Sequence, residues 1–319
     1  MNLKSMSTKR WIVPVLFAAF ALGLPEAAYC AEASGAEPTP WWVWPIALFS
    51  VTVLLGIVAI LGGIGGGVLF VPIVSGFFPF HLDFVRGAGL LLALCGALSA
   101  GPSLLRSGMA SMRLGLPMAL VGSITSIVGA LVGLALPANI VQTALGVVIL
   151  VIVVLMARAK GRAEGAQESG DPLSNALRLH GVYFDPALGR NVDWHARNTV
   201  AGLCVFAAIG VLAGMFGLGA GWANVPALNL LMGVPLKLAA GTSSFLLSVI
   251  DTSAAWIYLN RGAMLPMLVV PSCLGIMLGA KIGARLLRVA PTRVIRRTVI
   301  ALMLFAGARA LLKGLGIWM

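Results

Sequence analysis

Asp251 lies near the middle of an apolar stretch running from Leu238 to Leu259. An ionised carboxylate at mid-membrane depth costs about 2.5–3.5 kcal/mol, so this group has to be neutral, paired or facing water. Proton coupling or gating is the functional use of such a residue. A hydrogen bond from Ser248, Thr252 or Ser253 is the structural alternative. The same stretch carries Gly241-Thr242-Ser243-Ser244 near its start, and an earlier stretch opens on Val85-Arg86-Gly87-Ala88-Gly89. Hydroxyls, backbone N–H groups and a guanidinium suit a small oxyanion, and a helix N-terminus adds a favourable field of about 0.3–1 kcal/mol. Packing hydroxyls at Thr242, Ser243 and Ser244 and an interfacial anchor at Arg86 are the competing readings.

These residues need elements to hold them, and two glycine runs supply the pattern. Gly62-Gly63-Ile64-Gly65-Gly66-Gly67 is closed by Val71-Pro72, and Phe216-Gly217-Leu218-Gly219-Ala220-Gly221 by Val225-Pro226. Gly63 and Gly217 are separated by 217 − 63 = 154 positions, and the same offset pairs Pro72 with Pro226, Gly87 with Gly241 and Pro117 with Pro271. The chain is one unit written twice. Breaks of this kind bare backbone N–H and C=O groups that hydrocarbon cannot satisfy, so they belong around a cavity. Paired Gly- or Pro-interrupted segments in two halves point to a transport site near the membrane midplane. The candidate binding set is therefore Gly65, Gly66, Gly67, Arg86, Gly219, Gly221, Asn224, Thr242, Ser243 and Ser244. Asn224 follows the second break where Phe70 follows the first, so the set is asymmetric.

Composition bounds the class. Hydrophobic residues make up 60% of the 319 positions and charged ones 10%, with a mean hydropathy of +1.01. No soluble domain of this size covers that much apolar surface, so the lipid bilayer is a partner. The net charge of +12 sits in short segments between apolar runs, which reads as orientation signals and excludes nucleic-acid binding. Cys30, Cys95, Cys204 and Cys273 have no metal or redox spacing, and His81, His180 and His195 are scattered. No metal site and no cofactor are expected.

In chain order, Lys4, Lys9 and Arg10 precede a short apolar run that ends at Pro25, giving a signal peptide over 1–33. A periplasmic N-terminus follows over 34–45, with Trp41, Trp42 and Trp44 marking the interface. The first membrane repeat covers 46–157 in five segments, the fourth and fifth divided at Leu136-Pro137. Residues 158–197 hold five of the ten acids and form a cytoplasmic linker. A solvated connector is the expectation there, with Tyr183-Phe184-Asp185-Pro186 and Asp193-Trp194-His195 as docking alternatives. The second repeat covers 198–319. Five crossings per repeat put most Lys and Arg on the cytoplasmic side and make the two copies inverted. The fold class is thus an all-α polytopic membrane protein of two inverted repeats, with glycine-rich breaks at a central site. Asp83 reads as a cap before a helix start.

The doubled Gly-(Ile/Leu)-Gly-(Gly/Ala)-Gly…Val-Pro element, Ala240-Gly241-Thr242-Ser243 and the Asn260-Arg261-Gly262 turn resemble the sulfite exporter TauE/SafE-like permeases over about residues 46–313. The resemblance implies transport of small anions across the inner membrane: sulfite, organosulfonates or related sulfur-containing and carboxylate species. It also implies a mostly outward direction coupled to the proton motive force. In the first copy Arg86-Gly87-Ala88-Gly89 stands where the family pattern has Gly-Thr-Ser. An enzyme would need a nucleophile–base pair or metal cluster at membrane depth, and none is in the sequence. A receptor or scaffold acting through the 158–197 linker is the alternative function. A homo-oligomer is left open.

Overall fold

The computed structural model describes residues 42–62, 66–78, 80–106, 110–158, 171–185, 190–286, 301, 304–305 and 307–316. The expected signal peptide, the central part of the first glycine run with Gly65, and the basic residues from Arg288 to Arg297 lie outside these.

The first repeat comprises α1 (Val43–Gly62), α2 (Gly67–Phe77), α3 (Leu82–Arg106), α4 (Met112–Ala135) and α5 (Ala138–Arg158). The second comprises α7 (Thr199–Phe216), α8 (Gly221–Pro226) with a π-turn at Ala227–Leu231, α9 (Leu236–Asn260), α10 (Pro266–Leu286) and a final helix, α11, over 307–314. The 154-residue offset carries α3 onto α9 at both ends. Among the described residues four helices are long and apolar enough to cross a membrane, α3, α4, α7 and α9, and four more apolar helices, α1, α2, α5 and α10, are shorter. The chain is a multi-pass helical membrane protein.

Local sequence explains the ends. The Ser111 side chain accepts from the Leu114 N–H and caps α4. Gly217 ends α7 in the left-handed region (φ +67°), its N–H bonded to the Ala213 carbonyl. Pro226 lacks the N–H that would continue α8, and the chain widens there into the π-turn closed by Met232 N–H on the Ala227 carbonyl. Asp83 sits in the first turn of α3, not before it. Its carboxylate is therefore placed to pair along the helix and does not act as the expected cap.

The repeats exchange helices. α4 of the first packs along α7 of the second, and α10 of the second along α1 of the first. Both contacts need glycine: a Cβ at Gly214 would lie 2.1 Å from the Ser126 carbonyl oxygen, and one at Gly279 would lie 2.2 Å from that of Val53. The start of α3 meets the end of α9, with Gly87 against Tyr258 and Ala263. α11 and α5 likewise run in opposite senses, with Gly307 against Ile149 and Gly314 against Thr143. Met232 reaches Gly202 and accepts from the Arg197 N–H, so the segment that leaves the end of α7 returns to its beginning.

The linker departs from the expected solvated connector. Its described residues, 171–185 and 190–197, include α6 (Pro172–Ala176) and an antiparallel pair of strands, β1 (His180–Asp185) and β2 (Arg190–His195), called the hairpin below. Leu179, Trp194 and Ala196 are buried in the same cluster as Met232 and Val234. Asp171 accepts from the Thr199 N–H and hydroxyl at the start of α7. Period-2 alternation puts Trp194 inward and the paired His180 and His195 outward, their rings stacked at 5.5 Å. The hairpin holds the only strands among the described residues.

Candidate functional site

The two breaks touch. A Cβ on Gly67, the first residue of α2, would lie 2.6 Å from the Leu218 carbonyl oxygen and 2.8 Å from that of Gly89. One on Gly89 would lie 2.4 Å from the Gly217 carbonyl oxygen. Backbone from α2, α3 and the second break thus meets at van der Waals range, which only glycine permits. Gly66 faces Ile276 of α10, and Gly221 opens α8 in a buried position.

Asp251 completes this junction. It is fully buried, and its Oδ1 accepts from the Ala220 N–H at 3.3 Å. Its Oδ2 has no hydrogen-bond partner among the described residues and lies 2.9 Å from where a Gly219 Cβ would be. Gly219 itself has φ +72°, which disfavours any side chain there. The hydroxyls of Ser248, Thr252 and Ser253 do not hold the carboxylate. They donate to the carbonyls of Phe245, Ser248 and Val249 in their own helix.

One turn beyond Ala220, Asn224 is fully buried with neither its amide nitrogen nor its carbonyl oxygen partnered among the described residues. Trp222 Nε1 is likewise buried without an acceptor, and its ring packs against both principal core clusters. Buried polar atoms are normally satisfied, since each one left open costs about 1–3 kcal/mol. Four such atoms lie on α8 and α9 next to the second break, two donors, an amide oxygen and a carboxylate oxygen, a set whose chemistry suits a polar ligand.

The remaining candidates divide. Thr242 Oγ1 accepts from the Ser111 N–H at 3.1 Å, which leaves its hydroxyl proton free to donate. Ser243 is buried and Ser244 half-buried. Ser244 shares a face of α9 with Asp251, seven residues on. Under the repeat offset Ser243 stands where Gly89 stands in the first half. Arg86 is engaged elsewhere: its Nη1 donates to the carbonyls of Gly133 (3.0 Å) and Met215 (2.9 Å), and its Nη2 pairs with Asp83. Ala220, Trp222 and Tyr258 were not among the residues singled out from sequence. Ala220 lies inside the glycine run and Trp222 directly follows it, and Tyr258 is two turns from Asp251 on the same face, so spacing held the signal.

A helical bundle whose helices break against one another around sequestered polar atoms is built as a membrane transporter. The chain belongs to the sulfite exporter TauE/SafE family, which it matches over residues 48–310. It is 24% identical over 279 residues to "Probable membrane transporter protein YunE" of Bacillus subtilis (strain 168), covering 84% of this chain and 98% of that protein. It is 25% identical over 270 residues to "Probable membrane transporter protein ORF9" of Sinorhizobium sp, covering 83% and 91%. No solved structure matches it.

Proposed function

We propose that this protein is an inner-membrane secondary transporter that exports small sulfur-containing or organic anions, such as sulfite or sulfonates, with proton coupling through Asp251. The observation that carries the reading is the junction of the two breaks with the open polar atoms of Asp251, Asn224 and Trp222. Backbone N–H groups of Gly66, Gly67, Gly219 and Gly221, the Asn224 amide and the hydroxyls of Thr242, Ser243 and Ser244 are the donors an oxyanion would use. A carboxylate beside them repels the anion when ionised and tolerates it when protonated. Proton and anion occupancy then favour one another, the sign of coupling that symport needs.

Alternating access is best served by two inverted repeats. The opposed directions of α3 against α9 and of α5 against α11 support that relation, because a parallel duplication would run each pair the same way. The return of Met232 to the start of α7 supports a full crossing after the break, hence five per repeat. With basic segments inside, the linker is cytoplasmic and both chain ends are periplasmic.

Flux into proteoliposomes over a panel of sulfite, sulfonates, thiosulfate and carboxylates tests the function. Saturable uptake of at least one anion, stimulated by a pH gradient, is the expected result. A purified, folded protein that moves none of them refutes it.

A further inference from the structure

One end of the bundle is tied through a single buried side chain. The Arg86 side chain is 1% exposed, yet it carries a charge among helix ends. Its Nη1 bridges the carbonyls of Gly133 and Met215, in the last turns of α4 and α7. Its Nη2 pairs with Asp83, which is 28% exposed at the rim. Tyr258 of α9 lies under the guanidinium at 5.8 Å and donates its hydroxyl to the Gly214 carbonyl at 3.0 Å. Last-turn carbonyls lack helical partners and sit at the negative end of the helix dipole, so a planar guanidinium with several donors can hold two of them and a carboxylate together. Four helices, α3, α4, α7 and α9, are joined through one side chain.

The knot is also joined to the site. A Cβ at Gly217 would lie 2.3 Å from the Arg86 carbonyl oxygen, and the carbonyl of the next residue, Leu218, packs against Gly67. Movement of the start of α3 therefore moves the second break. The repeat offset gives the matching places at the opposite end: Ala240 for Arg86, Lys237 for Asp83 and Leu104 for Tyr258. None can form the knot, and Ala240 is exposed where Arg86 is fully buried.

We propose that Asp83, Arg86 and Tyr258 form a latch that keeps one of the two approaches to the site shut, and that it must release for substrate to pass that face. This rests on the transporter reading. Under the topology above the latched approach is the periplasmic one, and at the equivalent positions of the other approach Ala240 has no side chain that could make the same tie. Asp83 is the release point, since it alone of the three meets solvent. Arg86 is a positioning residue here and not an anion ligand.

The test reads accessibility independently of any substrate. In a chain with its four cysteines replaced, Ser244→Cys is the reporter, and an impermeant maleimide is added to vesicles from the latched face. Tyr258→Phe removes one hydroxyl and should raise the labelling rate about fivefold. Asp83→Asn should raise it on the order of tenfold or more. Arg86→Lys keeps the charge but loses the fork, so it should behave as a broken latch. Labelling within twofold of the parent in Tyr258→Phe and in Arg86→Lys, with both variants folded, overturns the latch. Anion flux is measured on the cysteine-free chain with Ser244 retained. Absence of flux there would sink the transport reading while the labelling still decides the latch.

Discussion

The two halves share a backbone plan and divide the chemistry between them. At equivalent positions the first half has Phe70, Arg86 and Ala97, and the second has Asn224, Ala240 and Asp251. Phe70 is packed in the core, whereas Asn224 is buried with its amide open. Duplication fixes where helices break and cross, because glycine spacing and helix length are copied with the unit. Polar function needs only a few side chains, and a buried charge or amide is costly, so each is kept in one copy. The symmetric parts of this molecule are therefore its architecture, and the asymmetric parts are the places to look for binding and gating.

The largest expected effect comes from filling the second break. Gly219→Leu places a side chain at φ +72°, against Ala93 and the Asp251 carboxylate. Flux should fall about a hundredfold or more, as for any misplacement of binding groups by an ångström. Thermal unfolding and membrane insertion serve as controls. Wild-type flux in this variant would reduce the break to a packing element and remove the contrast with the first half.

Asp251→Asn comes next. Its counterpart is Ala97, so one half already does without a carboxylate at this depth. The variant should fold and bind anion, and flux should lose its dependence on a pH gradient. Proteoliposome uptake at fixed anion concentration, with and without the gradient, measures it. Full gradient-driven flux would assign the driving force to another group.

The symmetric plan was readable in the chain. The offset that pairs Gly63 with Gly217 also predicts that α3 and α9 have the same bounds, because helix ends follow local glycine, proline and charge. The meeting of Gly67 with Leu218 was expected only as a shared cavity. Spacing along one chain cannot say which carbonyl a glycine faces. Asp83 and Arg86 were read separately, as a cap and an anion ligand. Three residues apart in one helix they lie side by side, but the carbonyls of Gly133 and Met215 reach Arg86 only through the exchange of α4 and α7 between repeats. His180 and His195, scattered in sequence, become neighbours through the register of a hairpin that weak alternation did not announce.

Asn224→Leu sharpens the comparison at a single pair of positions. It gives the second half an apolar residue like Phe70, without the overpacking that phenylalanine would cause. Neither amide atom has a partner among the described residues, so removing them breaks no hydrogen bond within the described structure. Stability should hold or rise slightly, while the KM for the transported anion rises about tenfold, as expected for the loss of one buried hydrogen bond to a charged ligand. Unchanged KM would show that the asymmetry at this position is not used for binding.

The smallest effect on transport is expected in the linker, whose described hydrogen bonds run to the second half. Leu179, Trp194 and Ala196 pack with Met232 and Val234, and the Arg197 N–H bonds to the Met232 carbonyl. Trp194→Ala removes the main buried side chain of the hairpin. Truncating a buried tryptophan costs about 3–5 kcal/mol where the whole fold bears it. A peripheral hairpin opens as its own unit, so the loss falls on hairpin opening and not on global unfolding. The junction near Asp251 is held separately, by Gly67 on Leu218 and Gly89 on Gly217. Limited proteolysis between 171 and 197 should therefore speed up by on the order of a hundredfold, with flux within about twofold of the parent. Collapse of flux with the hairpin detached would mean that the linker governs α8 and Asn224, and the second half would then carry a control element that the first does not have.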